Sequence, residues 1–336
     1  MMERQRAGRG GMLFGGVDIG GTKLHAVVAR ANGTLLARAR KKTKASRGVD
    51  AVLDRVQDVL EEACDLARTT VRRLAAVGVG APSAVTEDGV AVNAPNMGWR
   101  NVPLAATLRR RLGRPVAALN DCDAGTLGEA VFGAGRGAGT LVGFFMGTGL
   151  GGGIVRRGEL IRGENGIAAE LGHQIVAANG RLCGCGHRGC LEAYASKTAM
   201  ARRLAREIGE KGRRSRLEVD GGDYASIGSS LLARAYRAGD PVVREVVDEA
   251  AWYLGLGVAN LITLLGPDRV VLGGGVFEAF GPRLVARVRK SARAHTFPPA
   301  SFDDTRIVLS QLGDDAVALG AIAYAMRGET RQAGGR

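Results

Sequence analysis

Aromatic residues make up only 4% of the 336-residue chain, and lysine is scarce, at seven of 47 basic side chains. So few rings leave little for nucleic-acid bases to stack on. The net charge is +14, but the arginines are scattered through an Ala- and Gly-heavy chain. The charge therefore reads as composition bias, and no nucleic-acid partner is expected. No charge-free apolar run approaches the roughly 20 residues of a membrane span, so no membrane association is expected. The basic, Gly-rich start, Met1 to Gly11, is not followed by an apolar segment with a small-residue cleavage site. It reads as a frayed tail on a cytoplasmic protein, not as a secretory signal. Cysteines number five, and an odd count in a long chain does not make a disulfide framework.

What is present is ordinary for a folded protein: 46% hydrophobic and 24% charged residues. The length suits roughly two domains. Leu13 to Asp18, Leu24 to Arg30 and Leu35 to Arg40 read as an antiparallel meander turning at Ala31-Asn32-Gly33. Val49 to Arg68 carries apolar residues at helical spacing. Leu74 to Gly80 and Val116 to Leu119 read as buried strands, the second followed by a helical stretch, Ala124 to Ala130. Thr140 to Phe145 is a strand, followed by a hairpin of Ile154-Val155 and Leu160-Ile161. Ala199 to Gly209 is helical, Asp220 to Ala225 is a polar break, and Ala235 to Leu265 is one or two long helices. Val270 to Leu272 is a strand, and Ala316 to Met326 a final packed helix with disorder expected after Gly328. Alternating strands and helices point to an α/β architecture.

The chain twice runs strand, Gly/Thr-rich turn, strand, around Asp18 to Lys23 and around Gly147 to Gly153. Neither turn is a P-loop, because Thr22 precedes Lys23 and the glycines are shifted. Gly147-Thr148-Gly149-Leu150-Gly151-Gly152 spells a dinucleotide fingerprint, but a hairpin follows where that motif needs a helix. What remains is a phosphate-binding hairpin turn used twice, in which bare glycine backbone approaches an anion. Asp18 could hold Mg²⁺ directly or through water. Thr22 and Thr148 offer hydroxyls, and Lys23 either adds charge or points to solvent. A third glycine cluster, Gly273-Gly274-Gly275, follows a strand and favours a nucleotide cleft. Asp121 closes another strand, where it either caps the next helix or serves as the general base of a kinase.

Cys183, Cys185 and Cys190 lie within eight residues, with His173 ten residues upstream. Three thiolates and an imidazole make a closed tetrahedral Zn²⁺ set, with His187 a competing ligand. Buried free thiols are the alternative. A redox pair fits less well, since the spacing is not Cys-x-x-Cys. Glu170 and Glu192 bracket this loop, either as sugar-hydroxyl acceptors or as ordinary surface glutamates. Cys64 and Cys122 read as plain buried thiols.

Asp18-Ile19-Gly20-Gly21-Thr22-Lys23, Asn120-Asp121, the Gly147 to Gly153 turn, Glu170-Leu-Gly-His173 and Cys183 to Glu192 occur in the order seen in ROK sugar kinases (repressor, open reading frame, kinase). From about Leu13 to Met326 the chain resembles that family. The resemblance implies an actin-like ATPase (ribonuclease H-like) two-domain fold with the ligand in the cleft. It implies ATP, Mg²⁺ and structural Zn²⁺, and transfer of the γ-phosphoryl group to a hexose 6-hydroxyl. Asp121 then matches the catalytic base. Asn96, Asn120, Asp121, Glu170, His173 and Glu192 match the sugar contacts, with His173 serving zinc as well. Gly16, Val17, Asp18, Ile19, Gly20, Gly21, Thr22 and Lys23 would hold phosphates, as would Gly147 through Ile154. Gly273, Gly274 and Gly275 would lie near the adenosine.

The expected domains are 12–122 (a small N-terminal α/β domain) and 123–314 (a larger one carrying the zinc loop 173–192). The last helix, 315–328, packs back on the first. Members with the Ala-Pro-Asn-x-Gly-Trp loop commonly act on glucose. N-acetylglucosamine, N-acetylmannosamine, fructose and allose stay open, because Ser83 stands where many relatives have Gly beside the sugar. Relatives are often dimers or tetramers, and some use polyphosphate. ROK repressors carry an N-terminal winged helix-turn-helix, for which a strand starting at Leu13 leaves no room. A non-catalytic sugar-binding module would be expected to have lost Asp18, Thr22, Asp121 or Thr148.

Overall fold

The computed structural model describes residues 11–333, so the basic tail before Gly11 lies outside the described residues. In chain order the elements are β1 (Leu13–Ile19), β2 (Lys23–Arg30), β3 (Leu35–Lys42), α1 (Val49–Leu66), β4 (Leu74–Ala81), β5 (Ala84–Val85), β6 (Ala91–Ala94), β7 (Trp99–Val102), α2 (Leu104–Leu112), β8 (Val116–Asn120) and α3 (Asp121–Phe132). Then follow β9 (Thr140–Met146), β10 (Leu150–Arg156), β11 (Glu159–Leu160), α4 (Lys197–Leu204), α5 (Ser229–Arg237), α6 (Pro241–Leu265), β12 (Arg269–Gly273), α7 (Gly275–Phe280), α8 (Pro282–His295), α9 (Pro299–Asp303), β13 (Arg306–Leu309) and α10 (Ala316–Ala333).

Two compact units divide the chain. One runs to Gly137 and takes in Gly153–Ala169 and the chain from Asp314; the other comprises Ala138–Gly152 and Glu170–Gly313. The boundary expected at Cys122 therefore falls inside α3. The physical reason is local: the Asn120 side chain accepts from the amides of Cys122 and Asp123, capping α3 directly onto β8. The late return of Gly153–Ala169 to the first unit is secured at Arg162. Its guanidinium donates to Val85 O and to Tyr324 Oη and lies 3.6 Å from Asp123.

One five-stranded sheet, in the first unit, has the order β3-β2-β1-β4-β8, and a second five-stranded sheet has the order β11-β10-β9-β12-β13. The same order in both is the structural form of the repeat read in the sequence. In the first, β1 to β3 are antiparallel while β4 and β8 run parallel to β1. In the second, β12 is parallel to both β9 and β13.

Successive strand residues face opposite sides of a sheet, and β1 shows what each side receives. A Cβ on Gly15 would meet Leu60 of α1, whereas a Cβ on Gly16 would sit 2.2 Å from the Ala318 carbonyl of α10. On β4, a Cβ on Gly78 would sit 2.0 Å from the Ala321 carbonyl. Glycine at 16 and 78 thus lets the backbone of α10 lie directly on the strands. Val52, Leu53, Val56, Val59, Leu60 and Ala63 form the buried stripe of α1 on the other side. The stripe recurs at helical spacing.

The predicted helix over Ala199 to Gly209 is α4 followed by a π-helical turn, Ala205–Glu210. The long helical stretch is two helices. Asp240 caps α6, accepting from the amides of Val242 and Val243, and Pro241 takes its first position. The last helix continues to Ala333, past Gly328 where disorder is expected. No described helix is long and apolar enough to cross a membrane.

Candidate functional site

In the first unit the parallel strands β1, β4 and β8 end side by side. Asp18 pairs in register with Gly80, and Gly80 with Leu119. This is where α/β sheets place ligands. A Cβ on Gly80 would touch the Asp121 Cα at 3.6 Å, which sets Asp121 next to the strand that neighbours Asp18. Burial pushes the Asp18 carboxyl from 3.8 up to about 7, with the Asp121 charge adding to the rise. Carboxylates at the C-terminal edge of this sheet, Asp18 on β1 and Asp121 after β8, supply oxygen donors of the kind a divalent cation takes.

Asp121 is the first residue of α3, and its Oδ1 accepts from the Cys122 amide. The capping expected of it belongs instead to Asn120, whose Oδ1 takes the two helix amides while its Nδ2 donates to Ser83 O. Ser83 is itself buried. Its Oγ donates to Ala84 O and accepts from Asn93 N. Its hydroxyl therefore ties β4 to the β5–β6–β7 ribbon that carries Asn96. Asn96 is exposed on a 3₁₀ turn, Pro95–Met97, anchored by buried Met97 and Trp99.

Gly20 to Lys23 close the β1–β2 hairpin through Gly20 N to Lys23 O, 2.9 Å, and Thr43 Oγ1 donates to Gly20 O. Gly21, Thr22 and Lys23 are exposed. Gly16, Val17 and Ile19 are not brought to this turn; they lie within β1, buried or packed under α10. Lys23 pairs with Asp314 at 3.2 Å on the surface.

In the second unit, Gly147 N closes the β9–β10 hairpin onto Gly149 O. Thr148 is exposed at its tip and Gly152 is buried in β10, as are Gly153 and Ile154, with which the chain passes back to the first unit. A Cβ on Gly149 would come within 2.4 Å of Glu192 Oε2, so a side chain there would displace that carboxylate. Gly274, at φ +88°, packs on the Met146 backbone immediately before the turn, and Gly275 beside it is exposed.

His173, Cys183, Cys185 and Cys190 place one ligand atom each within 4.8 Å of one another. The Cys185–Cys190 sulfurs are 3.6 Å apart, and Cys183 Sγ lies 3.8 Å from His173 Nδ1. Tetrahedral zinc bonds of about 2.0 to 2.3 Å put ligand atoms some 3.5 to 3.8 Å apart, so the donor set fits that ion. Burial pushes the Cys183 thiol up to about 12. Burial also opposes ionisation of Cys185, but the His187 amide and ring and the adjoining thiols outweigh it and bring it down to about 6. Three thiolates in so small a loop repel one another, and a bound cation would offset that repulsion. His187 lies 3.7 Å from Cys185 Sγ, outside the four-atom set. Glu192 reaches both features: Oε2 accepts from Leu150 N at 2.9 Å, and Oε1 lies 3.6 Å from Cys183 Sγ. Cys64 is buried as expected, whereas Cys122 is half-buried.

The sequence reading missed Ser196, Lys197 and Thr198. Ser196 caps α4, and the amides of Lys197 and Thr198 donate to the carbonyls of Gly147 and Thr148. A Ser three residues before a helical Ala was the available signal.

The family model of the ROK family matches residues 14–327. The chain belongs to the ROK family. It is 37% identical to a glucokinase of Thermotoga maritima, across 91% of this chain and 95% of that protein. A crystal structure of a ROK glucokinase from Streptomyces griseus with glucose and AMPPNP superposes with a TM-score of 0.83. It shares 34% identity, over 94% of this chain and 99% of that one. A xylose repressor of Caldicellulosiruptor bescii is 30% identical over 92% of this chain and 76% of that protein. ROK glucokinases have the two-domain actin-like ATPase fold, the architecture expected for this chain.

Proposed function

We propose that this ROK protein is an ATP-dependent sugar kinase that phosphorylates the 6-hydroxyl of glucose. The observation that carries the reading is the pair of carboxylates, Asp18 at the end of β1 and Asp121 just past the end of β8, on either side of β4 in the first unit. The likeness to glucokinases over nine-tenths of the chain supports glucose as acceptor and ATP as donor.

Asp121 accepts the proton of the attacking hydroxyl as that oxygen bonds to the γ-phosphorus and the bond to the β-phosphate oxygen breaks. At the first turn of α3 its Oδ1 accepts from the Cys122 amide, which fixes the carboxylate in place. Asp18 would hold Mg²⁺, directly or through water, which supplies charge neutralisation on the phosphates when bound. The hairpin turns at Gly20–Lys23 and Gly147–Gly149 orient the phosphates, and Gly273–Gly275 lie along the adenosine. Asn96, Glu170, His173 and Glu192 bind sugar hydroxyls, and Asn120 acts chiefly by fixing Asp121. His173, Cys183, Cys185 and Cys190 would hold Zn²⁺, which supplies a rigid loop when bound. With Nδ1 of His173 turned to the sulfurs, Nε2 is the nitrogen left for a hydroxyl. Self-association into a dimer or tetramer belongs to the same proposal and is read by light scattering.

The test is ATP-dependent phosphorylation of glucose, mannose, fructose, N-acetylglucosamine, N-acetylmannosamine and allose. Glucose standing out in kcat/KM supports the reading, and another sugar standing out corrects the acceptor. The xylose repressor likeness supports a second reading, sugar binding without turnover. Glucose binding by calorimetry with no turnover on any sugar selects it.

A further inference from the structure

Every residue that holds the Gly147–Leu150 turn belongs to the same unit as the turn. Gly147 O accepts from Lys197 N at 3.0 Å, and Thr148 O accepts from Thr198 N at 3.2 Å and from Thr198 Oγ1 at 2.8 Å. In a planar trans peptide an N–H points opposite to the preceding carbonyl. Tying down the carbonyls of Gly147 and Thr148 therefore turns the amides of Thr148 and Gly149 the other way, as a pair. Two successive amides aimed together make an anion-binding concavity.

The segment that performs this orientation begins directly after the last cysteine. Glu192 holds Leu150 N with one oxygen and lies 3.6 Å from Cys183 Sγ with the other. Gly172, from the Glu170–His173 segment, packs so closely on Leu150 O that a Cβ would be 1.8 Å away. The Cys/His loop and the phosphate turn thus share one wall.

We propose that Glu192 and Thr198 position the phosphate-binding amides of Thr148 and Gly149, so that the Cys/His loop governs binding of the nucleotide as well as of the sugar. This rests on the kinase reading above. Thr198 acts only through the Thr148 carbonyl, and this role of Glu192 runs through the Leu150 amide.

The experiment is calorimetric titration of the full protein with AMPPNP and Mg²⁺ in the absence of sugar, and separately with glucose. Thr198→Val removes a hydroxyl hydrogen bond at nearly constant shape. Nucleotide affinity should weaken about fivefold, the equivalent of one ordinary hydrogen bond, with glucose affinity unchanged. Glu192→Ala should weaken nucleotide binding, and Glu192→Gln, whose amide oxygen can still accept from Leu150 N, should restore it. Removing metal with a chelator should lower nucleotide affinity, and adding Zn²⁺ back should recover it. Cys185→Ser should behave like the stripped protein, and Thr198→Val keeps the test in force if that variant does not fold. Unchanged nucleotide affinity in Thr198→Val, Glu192→Ala and the stripped protein would overturn the proposal while leaving the kinase reading intact. Equal weakening by Glu192→Ala and Glu192→Gln would overturn the positioning role of Glu192. A wild-type protein that binds no nucleotide takes both readings down together.

Discussion

Replacing Asp18 by asparagine should make the ligand-free protein more stable and the enzyme inactive. Asp18 titrates at about 7 in the folded chain against an ordinary 3.8, because burial and the Asp121 charge both oppose its ionisation. The folded state therefore holds the proton more tightly than the unfolded one, and stability falls as pH rises through the window from 3.8 to about 7. At about 1.4 kcal/mol per unit, the ionised carboxylate costs the fold up to roughly 4 kcal/mol at pH 8 and under about 2 kcal/mol at pH 5. The neutral isostere carries neither burden. Urea denaturation without Mg²⁺ or nucleotide should show the Asp18→Asn variant more stable than wild type, with a gap that widens from pH 5 to pH 8. The wild-type midpoint should fall over that range more steeply than the variant's. Turnover should drop by orders of magnitude, because the amide is a poor ligand for a hard cation. Parallel pH profiles for the two proteins would refute the reasoning, since the charge on Asp18 would then have no hold on folding.

Other outcomes follow from the same geometry. Asp121→Asn should lower kcat about 100- to 10,000-fold while calorimetric glucose affinity stays near wild type; near-normal turnover would remove Asp121 from the mechanism. Gly320→Ala puts a methyl 1.7 Å from the Ala124 carbonyl where α10 crosses α3. A thermal melt should show destabilisation by about 3 kcal/mol or more. Ser83→Gly removes the hydroxyl that joins Ala84 O and Asn93 N. It should cost about 1 to 2 kcal/mol and raise KM for sugar with KM for ATP unchanged, as steady-state kinetics will read.

The elements legible in the sequence are those with strong periodicity. The meander β1–β3 and the stripe of α1 can be placed nearly to the residue, because alternation and helical spacing report burial directly. The cluster of His173, Cys183, Cys185 and Cys190 is legible as well, since ligands to one ion must lie close together and the intervening glycines give the loop its turns. What escapes is the set of contacts that depends on the far part of the chain. Nothing near Gly16 says that its missing side chain makes room for Ala318, so it reads as part of a phosphate turn. Asn120 reads as a sugar contact because its use as a helix cap depends on where α3 begins, and the helix begins three residues before the apolar pattern does. Lys23 has two readings in the sequence, and its surface partner Asp314, far along the chain, belongs to neither.

The helix α10 seated on Gly16 and Gly78 has a consequence for how this protein is made. Among the described elements, a strand made early, β1, is packed under a helix made late, α10. The sheet carrying Asp18 and Asp121 must therefore wait, with one face uncovered, while the whole of Ala138–Gly313 is synthesised. At about 5 to 20 residues per second that delay is on the order of ten to thirty seconds. During it the second unit, whose long segment is emerging, can complete itself first. The nascent chain would then build its metal loop before its carboxylate pair. A messenger truncated within α10 would release a protein whose second unit is finished and whose first has an exposed apolar sheet face, the kind of surface chaperones hold and proteases find.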